Sequence, residues 1–159
     1  MLSVTVITLG NLKESYLREA CAEYGKRLGG FCRAEIKELK EVKLPDNPSA
    51  GEISQALERE ADAILAALPP KSYKIALCIE GEQLSSEGLA DLLDKASLVS
   101  GHVCFLIGSS HGLSPRIKAL CDKRLSFSKL TFPHQLMRVI LLEAVYRALN
   151  IQKGTKYHK

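Results

Sequence analysis

Residues 125–148 read LSFSKLTFPHQLMRVILLEAVYRA. Leu125 to Phe127 forms a short apolar strand. A loop with hydroxyl side chains and one lysine follows, and from Pro133 the chain turns helical. Leu136, Met137, Val139, Ile140, Leu141, Leu142, Ala144, Val145, Ala148 and Leu149 occupy nearly every side of that helix and leave a thin polar stripe. A helix that is apolar all round must be buried all round. So close to the end of a 159-residue chain, the expected cover for its second face is another copy of the same protein. Proline suits the first helical turn, where its missing N–H would have no partner anyway. The loop before it therefore ends at a helix N-terminus with free donors, a common place for a polar ligand.

Working back from this stretch, apolar strand-like runs alternate with amphipathic helical ones. Strands are predicted at Leu2 to Leu9, Ala34 to Leu39, Tyr73 to Ile79, His102 to Ile107 and Leu125 to Phe127. Helices are predicted at Leu12 to Leu28, Glu52 to Leu68, Ser86 to Leu98 and Pro115 to Cys121, ahead of the long one from Pro133. Pro69-Pro70 ends the second helix, and the Pro45 to Ser49 cluster marks a loop. Regular alternation of this kind predicts an α/β fold around a mainly parallel sheet, with residues 1–159 as one domain.

A hydrophobic content of 46% with 25% charged residues fits a soluble globular chain. No run of eighteen apolar residues predicts a membrane span. MLSVTVITLG alternates as a strand and carries no basic leader, so it reads as structure and not as a signal peptide. The five cysteines are widely spaced, show no CxxC or Cys/His ligand pattern, and read as free thiols in a reducing cytoplasm, with no metal. Charge is uneven along the chain. Residues 1–115 hold 12 Lys/Arg against 16 Asp/Glu, and residues 116–159 hold 10 against 2. The basic segment suits a phosphate-rich partner such as nucleic acid, or is a face whose counter-charges come from the acidic part after folding.

In parallel α/β sheets ligands bind beyond the carboxyl ends of the strands. Three segments fall there: Ile79-Glu80-Gly81, Ile107 to Gly112, and Ser126 to Phe132. None matches the dinucleotide or phosphate-loop glycine patterns. Gly81 and Gly108, taken singly, read as turns. Three successive strand ends of this composition point to a ligand site.

Those segments carry a resemblance. Leu77-Cys78-Ile79-Glu80-Gly81, Leu84-Ser85-Ser86-Glu87, Phe105-Leu106-Ile107-Gly108 with Gly112-Leu113-Ser114, the run Leu125 to His134, and the terminal Tyr157-His158-Lys159 are similar to the ribosomal large subunit methyltransferase H family. That family lies within the SPOUT class of S-adenosylmethionine-dependent RNA methyltransferases. The similarity is colinear over essentially the whole chain. It implies a SPOUT-type fold with a C-terminal trefoil knot, which local reasoning would not reach. It further implies a cytoplasmic homodimer that methylates N3 of a pseudouridine in large-subunit (23S) ribosomal RNA, acting on assembled ribosomes with S-adenosyl-L-methionine as cofactor. At two positions the chain departs from the family's habit. Ser109 stands where a second glycine often follows Gly108, and Glu82 where a lysine often follows the glycine of the third strand.

Carried over by position, the cofactor pocket comprises Leu77, Gly108 and the loop Phe127, Ser128, Lys129, Leu130, Thr131 and Phe132. The imide N3 needs a base or an oxyanion-stabilising donor nearby. His134 is the first candidate, as base or carbonyl donor; a helix-end histidine bonded to backbone is the alternative. Arg138, one turn on, would bind a phosphate or carbonyl, or else form an ion pair within the dimer. Glu143 and Arg147 are spaced as a structural pair. The tail, otherwise read as frayed, becomes functional through the resemblance. Tyr157 would stack on a base, His158 would stand near the reacting atom, and Lys159 would meet a phosphate, in a dimer within the partner's site. A non-catalytic RNA-binding module and an enzyme acting on transfer RNA remain as rival functions.

Overall fold

The computed structural model describes the whole chain, Met1–Lys159. In order it runs β1 (Ser3–Leu9), α1 (Ser15–Leu28), β2 (Arg33–Leu39), α2 (Ala50–Ala67), β3 (Tyr73–Gln83), α3 (Ser86–Val99), β4 (His102–Ile107), α4 (Pro115–Leu120), β5 (Lys123–Ser126) and α5 (His134–Gln152). The five strands form one sheet in the order β2-β1-β4-β3-β5, every pair parallel. The period of two along each strand feeds two cores. Val4, Val6, Ile75, Val103 and Phe105 meet α1, α3 and α5 on one face. Ile7, Leu9, Ala76, Cys104 and Leu106 meet α2 and α4 on the other.

Local chemistry sets the helix starts. Ser49 and Glu52 close a reciprocal capping box on α2, while the Ser85 and Ser114 hydroxyls cap α3 and α4. Proline stands one residue earlier than expected on the long helix. Pro133 is the N-cap of α5, with φ −55° and ψ 136°, and no side chain caps the free N–H groups behind it.

Strand β3 continues four residues past its expected end at Ile79, and the reason lies at Gly81. Leu77 pairs with Leu125, and after a register shift Glu82 pairs with Leu125 again. A Cβ on Gly81 would stand 2.7 Å from the Leu125 backbone. Gly81 is thus where β3 shifts register against β5 at backbone contact, and the plain turn expected there is corrected.

Cover for α5 comes largely from within the chain. It lies against α1 and α3 and buries Leu141, Leu142, Val145, Ala148 and Leu149 in the core. Leu136 stays exposed, and Val139, Ile140 and Ala144 are half-buried. A narrower apolar strip is left uncovered than its sequence suggested. Charge compensation is also partly internal. Of the ten basic residues after position 115, Arg116, Lys118, Lys123, Arg138 and Arg147 form ion pairs, and all but Arg147 pair with the acidic part of the chain. All five cysteines are free thiols. Burial pushes Cys104 up to about 12 and Cys32 and Cys121 up to about 11, so these thiols are poor nucleophiles.

Candidate active site

The carboxyl ends of β3, β4 and β5 open into a cleft of about 660 Å³, within the usual range for a small-molecule site. Leu77, Gly108, Phe127, Ser128, Leu130, Thr131, Phe132 and His134 all line it, as expected from the sequence. Lys129 does not. It is exposed beyond the rim, in a loop held by the Ser128 Oγ, which accepts from the Leu130 N–H at 2.9 Å.

The turn after β4 is drawn tight. A Cβ on Gly108 would lie 2.3 Å from the Gly112 carbonyl carbon and oxygen, so glycine here makes room for backbone and not for ligand. Gly112 adopts φ +84° and donates its N–H to the Ser109 carbonyl at 2.8 Å. This turn and the loop after β5 both line the cleft, with Leu77, Ile79 and Leu130 among its apolar residues.

Sequence reading missed a charged pair at the rim. Lys118 on α4 donates to Glu80 Oε1 at 2.5 Å, and this bond is the main cause holding the Glu80 carboxyl below its ordinary range. Glu80 was legible as a strand-end residue. Lys118 was not, because only the fold carries α4 back over the end of β3.

Four residues were expected to serve catalysis, and only His134 reaches the cleft. Its Nε2 and Glu41 Oε2 lie 4.0 and 3.1 Å from the point where a Gly10 Cβ would stand, so both converge above Gly10. Arg138 is elsewhere. It is 1% exposed, bonded through Nη1 to Glu38 Oε2 at 2.6 Å and through Nη2 to the Gly10 carbonyl at 3.2 Å. The same Glu38 oxygen accepts the Leu12 N–H at 3.2 Å. Arg138 thus makes its ion pair within its own chain and does not line the cleft. It is sunk toward the core and ties α5 to the ends of β1 and β2.

Tyr157 and His158 are ordered but remote from the cleft of their own chain. The Tyr157 hydroxyl donates to Glu143 Oε1 at 3.0 Å, and its ring lies edge-on to Tyr146 at 4.8 Å. Arg147 sits 4.8 Å from the Tyr157 ring centroid. His158 Nε2 meets Glu87 Oε1 at 2.9 Å. Burial and the bond to Glu143 raise the Tyr157 pKa. Glu143 stands nine positions after His134, about 13 Å along the helix axis. The Glu143–Arg147 pair forms as its spacing predicted, at 2.7 Å, and it also holds the tail. His102, at the start of β4, bonds Thr5 Oγ1 at 2.7 Å. His111 lines the cleft.

Comparison with known proteins places this geometry. A family model described as "Predicted SPOUT methyltransferase" matches residues 2–158. Three proteins named "Ribosomal RNA large subunit methyltransferase H" align over 99% of this chain and 100% of their own length. They come from Streptococcus thermophilus at 48% identity, Bifidobacterium adolescentis at 47% and Bacillus pumilus at 44%. The fold resembles that of a solved structure titled as a probable methylase family protein from Haemophilus influenzae Rd KW20. Its TM-score is 0.58 at 13% identity, with 100% of this chain and 72% of that chain covered. A parallel α/β sheet with a cleft at three strand ends, matched end to end by these relatives, makes the chain a member of the SPOUT methyltransferase family, in the branch named for ribosomal RNA large subunit methyltransferase H.

Proposed function

We propose that this protein methylates N3 of a pseudouridine in large-subunit (23S) ribosomal RNA, on assembled cytoplasmic ribosomes, with S-adenosyl-L-methionine as methyl donor. The observation that carries the reading is the cleft at the ends of β3, β4 and β5, together with relatives of that name matching the full length. The cleft fits the donor chemically. Leu77, Leu130 and Phe132 offer apolar cover for an adenine, the Gly108–Gly112 turn and the Ser126–Phe132 loop offer backbone N–H and C=O groups, and Glu80 with Lys118 offers paired charges to a zwitterionic amino acid end. When bound, the donor supplies an electrophilic methyl on a sulfonium.

The chain's share is alignment and proton handling. His134 Nε2 takes the imide proton or holds a uracil carbonyl, from the first turn of a helix whose N–H groups are free. Arg138 acts behind it by fixing α5 against Gly10 and Glu38. Lys129 and the unpaired Arg124 stand outside the cleft as phosphate contacts. Tyr157 and His158 serve the cleft of a second copy, because their own lies about 13 Å up the helix. A homodimer is supported by the apolar residues Ile79, Leu130 and Leu136, which are exposed around the cleft. In this reading residues 1–159 act as one SPOUT domain and carry the family's C-terminal trefoil knot.

The test is to incubate the protein with labelled S-adenosyl-L-methionine and intact ribosomes, separated subunits or naked RNA, and to map the label. Label on one pseudouridine of the large-subunit RNA within ribosomes is expected. Label on transfer RNA, or none with any substrate, would contradict the reading.

A further inference from the structure

The acidic run Glu58-Arg59-Glu60-Ala61-Asp62 lies on α2, across the sheet from the long helix, and the mechanism above does not use it. Its three carboxylates all reach toward the segment that follows β4. Arg116, just beyond the turn, pairs through Nε with Glu58 Oε2 at 3.0 Å and through Nη2 with Asp62 Oδ1 at 2.8 Å. Glu60 points inward and is only 4% exposed. Its Oε1 accepts from the Ser109 hydroxyl at 2.9 Å, and its Oε2 accepts from the Val42 N–H at 3.0 Å. Both donors are neutral. A buried carboxylate held by two neutral donors is costly to keep, and losing either donor leaves part of it unsatisfied.

Ser109 stands directly after Gly108 at the end of β4. It is 8% exposed, lines the cleft and closes the turn through the Gly112 N–H. We infer that Glu60 is a positioning residue for the cofactor cleft. It acts through Ser109, whose side chain latches the Gly108–Gly112 turn to α2. Gly108 lets the two ends of the turn touch, the Ser109–Gly112 bond sets its curl, and the Ser109–Glu60 bond sets where the curl stands relative to the sheet. Arg116 braces the same segment from outside. The inference rests on the reading of the cleft as the cofactor site.

The test combines two readouts on the full-length protein: amide hydrogen exchange at Gly112 without ligand, and calorimetric titration with S-adenosyl-L-methionine. Ser109→Ala should speed Gly112 exchange and raise the cofactor Kd about tenfold, the loss of one buried charge-assisted bond. Glu60→Gln, with Ser109 intact, should leave both near native values, since an amide can accept from Val42 N–H and donate to Ser109 Oγ. If Glu60→Ala folds, its effect on Kd should not multiply with that of Ser109→Ala in the double variant. Unchanged Gly112 exchange in Ser109→Ala would overturn the latch. A lower Tm or faster exchange with native cofactor Kd would overturn the positioning role. No heat with the native protein would instead remove the cofactor reading, and Gly112 exchange would still decide whether the latch exists.

Discussion

The cleft and the C-terminal tail are built by opposite means. The cleft is assembled from three strand ends of one sheet, with Gly81 and Gly108 permitting backbone contacts that no side chain would allow. Its shape is set by the same packing that makes the core. The tail, from Gly154 onward, has no regular secondary structure. It is held by a few side-chain contacts to Glu143, Tyr146 and Arg147 on the flank of the long helix and to Glu87 on α3. Contacts of that kind are individually weak when exposed. One region is rigid before any ligand arrives. The other can change partners at small cost, and its aromatic and imidazole groups are stored away from the cleft they are proposed to serve.

The largest effect should come from breaking the rigid side. Gly108→Ala places a methyl 2.3 Å from the Gly112 carbonyl, so the turn must move. Cofactor affinity should fall by about a hundredfold or more, beyond calorimetric detection at micromolar protein. An affinity close to native would mean that the turn does not shape the site.

Breaking the tail should give the complementary pattern. Removing Tyr157, His158 and Lys159 should leave cofactor Kd unchanged, while methylation of ribosomes drops by about two orders of magnitude through lost alignment. Full activity in the truncated protein would leave the chemistry to His134 alone.

A third effect lies at the hinge between the two regions. Arg138→Ala removes a buried guanidinium and strands the Gly10 carbonyl, while the half-exposed Glu38 returns to water, and should cost about 2 kcal/mol in chemical denaturation. A loss below about 1 kcal/mol, as for an exposed pair, would show that α5 is held by its apolar packing alone.

The smallest effect concerns the rim. Glu80 titrates low in the folded protein because Lys118 donates to it. A depressed carboxylate adds stability above its unfolded pKa and loses it as pH falls through the lowered folded value. Lys118→Met should therefore return Glu80 toward the ordinary range in a carboxylate NMR titration and flatten stability slightly on the acid side. An unshifted Glu80 resonance would show that the bond to Lys118 is not what lowers it.

Much of the fold was readable residue by residue. Ten elements follow from alternation, helical periodicity and cap residues, and His102 to Ile107 is observed with the bounds its pattern suggested. What could not be read were the places where one segment meets another far along the chain. Gly81 looks like any strand-end glycine until β5 is seen to pass within 2.7 Å of its missing side chain. The apolar circumference of α5 pointed to a second copy, because nothing local says that α1 and α3 flank it within the chain. At the site, the loop Phe127 to Phe132 was legible because a contiguous segment carries it. Arg138 was expected at the substrate because helical spacing puts it one turn from His134, and its pair with Glu38, a hundred positions away, was not legible. Ser109 read only as a departure from the family's habit, and only the fold shows Glu60 answering it.

One mixture decides whether the tail serves a neighbouring cleft. Gly108→Ala chains should bind no cofactor, and chains lacking residues 157–159 should not align substrate, so each population alone is inactive on ribosomes. Co-expressed with different tags and purified as mixed dimers, they hold one intact cleft facing one intact tail. If the tail acts across the dimer, the mixed species should methylate ribosomes at about half the rate of the native dimer, one composite site of two. Mixed dimers as inactive as either parent would contradict the account.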